Sequence, residues 1–209
     1  MSVTPADPRP AQPEGPPPVD LDPGQRERLL DLARLALAVA VGARGADDLR
    51  RVLDSGPLPG LHAGAFVTLT EHDRLRGCMG TLDERQPAWA SVLEAARMAA
   101  LADPRFSAVG AAELGSIHVE VSVLGPMTLL EDAASFRPGV DGLVIERGGR
   151  RGLLLPEVAD MLEPRHDAML DAVCRKAGLP DSAWRDTGAT LLVFRTCRFG
   201  GPAAWTGGS

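Results

Sequence analysis

Cys78 follows Arg74 and Arg76 at two-residue intervals in the stretch 75–82, LRGCMGTL. In a β-strand that spacing puts the three side chains on one face and leaves Leu75 and Met79 for the other. A thiol flanked by guanidinium groups has its pKa drawn down from about 8.5 toward neutrality, which is what a cysteine nucleophile needs. Arg76 would then serve as the anion partner, with Arg74 beside it. Gly77 and Gly80 interrupt the strand, and a backbone without Cβ atoms lets a ligand approach main-chain donors closely.

A second polar stripe lies in 117–123, IHVEVSV, where Ile117, Val119, Val121 and Val123 alternate with His118, Glu120 and Ser122. Should this strand share a sheet with the first, Glu120 can pair with Arg76, and His118 or Ser122 can approach Cys78. The competing reading makes Arg76 and Glu120 a structural ion pair and Cys78 a small core residue. Four histidines without i, i+4 spacing give no metal site. Three cysteines without a CxxC pair give neither a zinc site nor a disulfide framework. There is no GxGxxG or GxxxxGK[ST] motif, so no nucleotide cofactor is predicted. The segment 146–152, ERGGRRG, invites an RNA-binding reading. A hairpin turn with exposed arginines is the preferred reading, given the net charge of −6 around it.

The elements that must position these groups follow from pattern. With 209 residues, 44% hydrophobic and 24% charged, the chain can bury a substantial core. Residues 1–23 are proline-rich and predict a disordered tail, 24–199 a single folded domain, and 200–209 a flexible C-terminal tail. Asp22, Pro23 and Gln25 are spaced as a helix cap, first turn and capping box, and Leu29, Leu32, Ala36 and Val39 mark one helical face. A short helix is predicted near 47–53, a hairpin turning at His72 and Asp73, a helix from near Pro87 to before Pro104, and the valine-rich strand. A second hairpin at Gly148 and Gly149, a helical turn at Pro156, a helix over 166–177 and a final single strand over 189–199 complete the chain. Helices and hairpins in this order predict an α+β fold with a mixed or antiparallel sheet. The N-terminus lacks the pattern of a secretory signal, and no apolar run spans a bilayer, so a cytoplasmic location without membrane contact is expected.

LRGCMGTL, DPRF, VEVSVLGP, GVDGLVI, GLLLPEVA and CRKAGLPDSAW occur here in an order that resembles the AMMECR domain family, over roughly residues 25–199. The likeness is to its prokaryotic members of the AmmeMemoRadiSam system. It implies an α+β fold with two lobes around a cleft, and an Arg-Gly-Cys hallmark at Arg76, Gly77 and Cys78. The family pattern also falls on Gly80, Asp103, Arg105, Phe106, Ser122, Gly142, Pro156, Lys176 and Trp184. The family's biochemical activity is not established. The resemblance implies as partners a Memo-like protein and a radical-SAM protein, with a small-molecule substrate, and a role in RNA modification has been suggested for the family. Two departures stand out. Relatives often end in Phe-x-Glu where this chain has Phe199-Gly200-Gly201, and often open the last helix with Trp-Asp where it has Arg165-His166-Asp167. On these grounds the expected function is that of an enzyme or enzyme component acting on a small anionic or carbonyl-bearing substrate. Cys78, Arg76, Glu120 and Ser122 are its candidate catalytic residues, and Arg74, Gly77, Gly80, Asp103 and Arg105 its candidate ligand contacts. A non-catalytic module that docks the partners is the alternative.

Overall fold

The computed structural model describes residues 15–56, 58–162 and 165–204. The described residues divide into two compact units, one within 18–126 and 196–204 and the other within 15–17 and 127–195. Each is an antiparallel four-stranded sheet with helices, which makes the protein α+β as expected. Of the expected tail over 1–23, residues 1–14 lie outside the described residues.

The first unit opens with α1 (Pro23–Ala40). The Asp22 side chain accepts the Gln25 N–H at 2.8 Å and the Gln25 side chain accepts the Asp22 N–H at 3.0 Å, so the capping box forms as read. Order begins before the cap, because Leu21 is only 1% exposed in the core. Burial on α1 is wider than one face, taking in Leu30, Leu35 and Leu37, while Val39 is only partly buried. Next come α2 (Ala46–Asp54) and the hairpin of β1 (Ala65–Glu71) and β2 (Arg74–Thr81). His72 and Asp73 turn it with φ of 49° and 61°, the two positive φ values of a type I′ turn. After α3 (Ala88–Leu101) comes β3 (Ile117–Leu124). The sheet is completed by β8 (Thr196–Pro202), in the order β2-β1-β3-β8. Val67, Leu69, Val119, Val121 and Val123 share one core with α1 and α3, as period two requires.

The second unit holds β4 (Thr128–Leu129), β5 (Gly142–Arg147), β6 (Arg150–Leu154), α4 (His166–Lys176) and β7 (Thr190–Phe194), with sheet order β4-β7-β5-β6. Gly148 and Gly149 turn the β5–β6 hairpin at φ of 56° and 75°, where a Cβ would strain the backbone. Leu143, Ile145, Leu191 and Val193 pack with Leu170, Val173 and Cys174 of α4.

The final stretch differs from the single strand expected. It is two strands in two sheets, with the chain passing between units at Arg195 and Thr196. Its continuous apolar alternation hides the change of sheet. Nor does a tail begin at residue 200. Gly200, Gly201 and Pro202 pair with Glu120, Val119 and His118, Arg34 donates to the Pro202 carbonyl at 2.9 Å, and Ala203 is buried.

Candidate functional site at Cys78

The register of the first sheet decides which residues meet. Cys78 stands opposite Thr68, and Thr68 opposite Glu120, which in turn pairs with Gly200. These four make one row on the sheet face turned away from α1 and α3. The Thr68 hydroxyl lies 3.4 Å from the Cys78 sulfur.

A β-bulge between Leu69 and Thr70 shifts the pairing, so that Leu69 pairs with Gly77 and Thr70 with Leu75. Arg76 is the extra residue. Strict alternation therefore fails beyond Gly77. Leu75 falls in line with Thr70 and Thr68 on the Cys78 face and is exposed, whereas Arg74 falls in line with Glu71 on the other.

Arg76 meets neither Cys78 nor Glu120 in the expected way. Its Nε and Nη2 donate to both carboxylate oxygens of Glu113 at 2.8 and 3.1 Å, and Nη1 and Nη2 donate to the carbonyls of Ser107 and Ala108. Hydrogen bonding to Glu113 raises the Arg76 pKa and lowers that of Glu113. Four bonds spent on 107–113 make Arg76 the anchor of the loop after α3. Glu120 is taken by Arg198, Nε to Oε2 at 2.7 Å. The expected pairing of Arg76 with Glu120 is thus replaced: β1 separates β2 from β3, the loop after α3 brings Glu113 to Arg76, and β8 brings Arg198 to Glu120.

The expected approach of His118 or Ser122 to Cys78 also fails. Strand β1 lies between β2 and β3, which sets those side chains about 9–10 Å away, two strand spacings. Ser122 is buried opposite Phe66 and Arg198, and His118 is exposed opposite Thr70 and Pro202.

The two glycines do not open the backbone to a ligand. A Cβ on Gly77 would stand 2.1 Å from the Ala99 carbonyl oxygen, so Gly77 admits α3 against the sheet. A Cβ on Gly80 would stand 2.5 Å from the Phe66 ring, which covers it from the adjacent strand. Of the Arg-Gly-Cys motif, Arg76 holds a loop, Gly77 admits a helix, and Cys78 turns its side chain toward Thr68 on the far face.

The cation beside Cys78 is Arg105. The Asp103 carboxylate, with its side chain 1% exposed, accepts the Cys78 N–H at 2.9 Å. It also holds Arg105, Nη2 to Oδ2 at 2.7 Å and Nε to Oδ1 at 2.9 Å, and accepts the Arg105 N–H. Arg105 reaches back to the Cys78 carbonyl at 3.4 Å. These two side chains satisfy the outward N–H and C=O of an edge strand. The Arg105 hydrogen bonds hold the Asp103 carboxyl well below the usual carboxylate range. Asp103 in turn raises the Arg105 pKa, with a smaller contribution from the negative charge of a Cys78 thiolate. Burial pushes the thiols of both Cys174 and Cys197 up. Among the described residues no cluster of metal-ligating side chains occurs, and no helix is long and apolar enough to cross a membrane.

Sequence reasoning passed over Thr68 and Glu113. Thr68 carried a signal, since it sits on the polar side of an alternating strand whose turn makes it face β2. Glu113 carried none, because its partner is found only through the bulge.

Two helix-backed antiparallel sheets, with an Arg-Gly-Cys bulge on the edge strand of one, define the class of protein. The chain belongs to the AMMECR1 family, whose model matches residues 30–199. It is 41% identical over 184 residues to a protein of Methanothermobacter thermautotrophicus, a span that covers 85% of this chain and 94% of that one. It is 40% identical over 141 residues to a Pyrococcus furiosus protein, covering 63% and 67% of the two chains. Among solved structures it resembles the crystal structure of an uncharacterised protein from Pyrococcus horikoshii, with a TM-score of 0.73 and 32% identity, covering 83% of this chain and 91% of that one.

The departure at Phe199-Gly200-Gly201 now has a location. Gly201 pairs with Val119 and faces the helices, where a Cβ would stand 2.5 Å from Nη2 of Arg34. An acid there would meet Arg34, which here has Glu27 and Asp31 at 3.2 and 3.0 Å. The missing acid is on the opposite face from Cys78.

Proposed function

We propose that the protein is a thiol-dependent enzyme or enzyme component acting on a small anionic or carbonyl-bearing substrate, with Cys78 as nucleophile and Arg105, in place of Arg76, as anion partner. The observation that carries this reading is the Asp103 carboxylate, which fastens the Arg105 guanidinium and the Cys78 backbone to one buried point. A fixed cation beside a thiol favours the thiolate, and one beside a developing oxyanion favours addition to a carbonyl. In that step the Cys78 thiol gives its proton to water, and a sulfur lone pair forms the S–C bond. The carbonyl π pair moves to oxygen, which accepts a hydrogen bond from Arg105 until water protonates it. For partners, the family resemblance supports a Memo-like and a radical-SAM protein. The RNA reading has less support: Arg147 and Arg151 are paired with Asp186 and Glu146, and Arg150 donates to the Gly178 carbonyl.

Complementation of a deletion strain by Cys78→Ser is the test. Loss of complementation by a folded variant is expected. Full complementation would overturn the enzyme reading and leave a docking module.

A further inference from the structure

We propose that Thr68 is a positioning residue for Cys78, its hydroxyl donating the hydrogen bond that favours the thiolate. The inference rests on the nucleophilic reading of Cys78 and supplies what the expected His118 or Ser122 does not. Thr68 stands directly across the strand pair from Cys78, with Oγ1 3.4 Å from Sγ, an ordinary length for a bond to sulfur.

The placement is rigid for reasons visible in the chain. Strand β1 is paired on both sides, to β2 and β3, and Val67 and Leu69 on either side of Thr68 are fully buried. A β-branched side chain has few χ1 choices, so the hydroxyl stays where the backbone aims it. A donor to the charged form of an acid stabilises that form. The hydroxyl has one proton, and a thiolate is a better acceptor than a thiol.

Several charged or titratable groups flank the pair. Asp103 and Arg105 come from the loop after α3, Glu120 comes from β3 with Arg198 of β8 bound to it, and His118 lies two residues along β3 from Glu120. The ion pairs among these groups do not involve Thr68, and valine keeps shape and strand propensity while deleting the hydroxyl.

The experiment is iodoacetamide alkylation of the full-length chain across pH, with Cys78, Cys174 and Cys197 resolved by peptide mass spectrometry. For the wild type the Cys78 midpoint should lie below that of free cysteine. Thr68→Val should move it up by about one pH unit, with the high-pH plateau rate little changed. Thr68→Ser should restore it, a rescue that a packing role would not give. The proposal is overturned if Thr68→Val superimposes on wild type or if Thr68→Ser follows Thr68→Val. The first of these, with a low wild-type midpoint, leaves the Cys78 reading standing. A wild-type midpoint equal to that of free cysteine removes both. A midpoint that shifts as expected, in a protein whose Cys78→Ser variant complements fully, keeps the Thr68 bond and removes the enzyme reading.

Discussion

The Asp103 carboxylate accepts the backbone N–H of Cys78 at 2.9 Å while gripping Arg105 through the same oxygen at 2.7 Å. The charge near the thiol is therefore fixed to the strand that carries the thiol, and both depend on one acid.

Asp103→Asn should lower stability at pH 7 by about 1–3 kcal/mol, a value kept below that of a fully buried pair because Arg105 is half exposed. The Asp103 pKa is lowered in the folded protein. Its contribution is thus complete above the unfolded carboxylate pKa of about 3.9 and is lost as pH falls through the folded value. Urea unfolding should show the wild type and Asp103→Asn well apart at pH 7 and converging under acid conditions. A gap that widens on acidification would refute the assignment.

Arg105→Gln should raise the alkylation midpoint of Cys78 and leave those of Cys174 and Cys197 unchanged. On the proposed reading the Arg105 guanidinium supplies the positive charge that favours the thiolate, and the glutamine removes it. Site-resolved alkylation against pH reads this directly, and an unmoved Cys78 midpoint would count against Arg105 as the neighbouring cation.

Arg76→Ala should cost about 1–3 kcal/mol, since it leaves the Glu113 carboxylate with the Gly110 N–H but no cation and frees the Ser107 and Ala108 carbonyls at a partly exposed position. The Cys78 alkylation profile of the folded fraction should match wild type. Arg76→Lys keeps the charge without the fork and should recover only part of the loss. Thermal melts together with alkylation separate this anchoring role from contact with a ligand.

Gly77→Ala should destabilise by about 1–3 kcal/mol, because the added methyl meets the Ala99 carbonyl and α3 must move as a body. A melting temperature equal to wild type would show that the helix does not pack as described.

Local rules made much of this fold readable. The Asp22 capping box, the His72-Asp73 turn and the alternating valines of β3 are each decided within a few residues. The bulge at Arg76 is different, because a bulge exists only relative to a partner strand. Reading 74–78 alone gives strict alternation, and that places Leu75 and Arg74 on the wrong faces. The tightness at Gly77 comes from Ala99 of α3, an element packed on the sheet only in the folded chain, so a glycine read in isolation looks like room for a ligand. The pairing of Glu120 was decided by which strand lay next to β3, and that strand, β8, was hidden inside a run that read as one element. Cys78 itself, with Asp103 and Arg105, was legible as a group of candidates. What the sequence could not give was which arginine stood beside the thiol.

The passage of the chain from β7 into β8 bears on the order of folding. Leu124 pairs with Thr196 although the whole stretch 125–195 lies between them. As an unfolded loop that stretch resists closure, by an entropy that grows with the logarithm of its length. Once the second sheet has formed, the distance its ends can explore shrinks, and β8 can zip onto β3 with most of that cost already met. Amide protection in pulse-labelled refolding should accordingly appear in β5 and β7 before it appears in β8. The last strand of the first sheet would then be a latch set by its insert, and a lesion in the β5–β6 hairpin would delay closure of a sheet to which it contributes no residue.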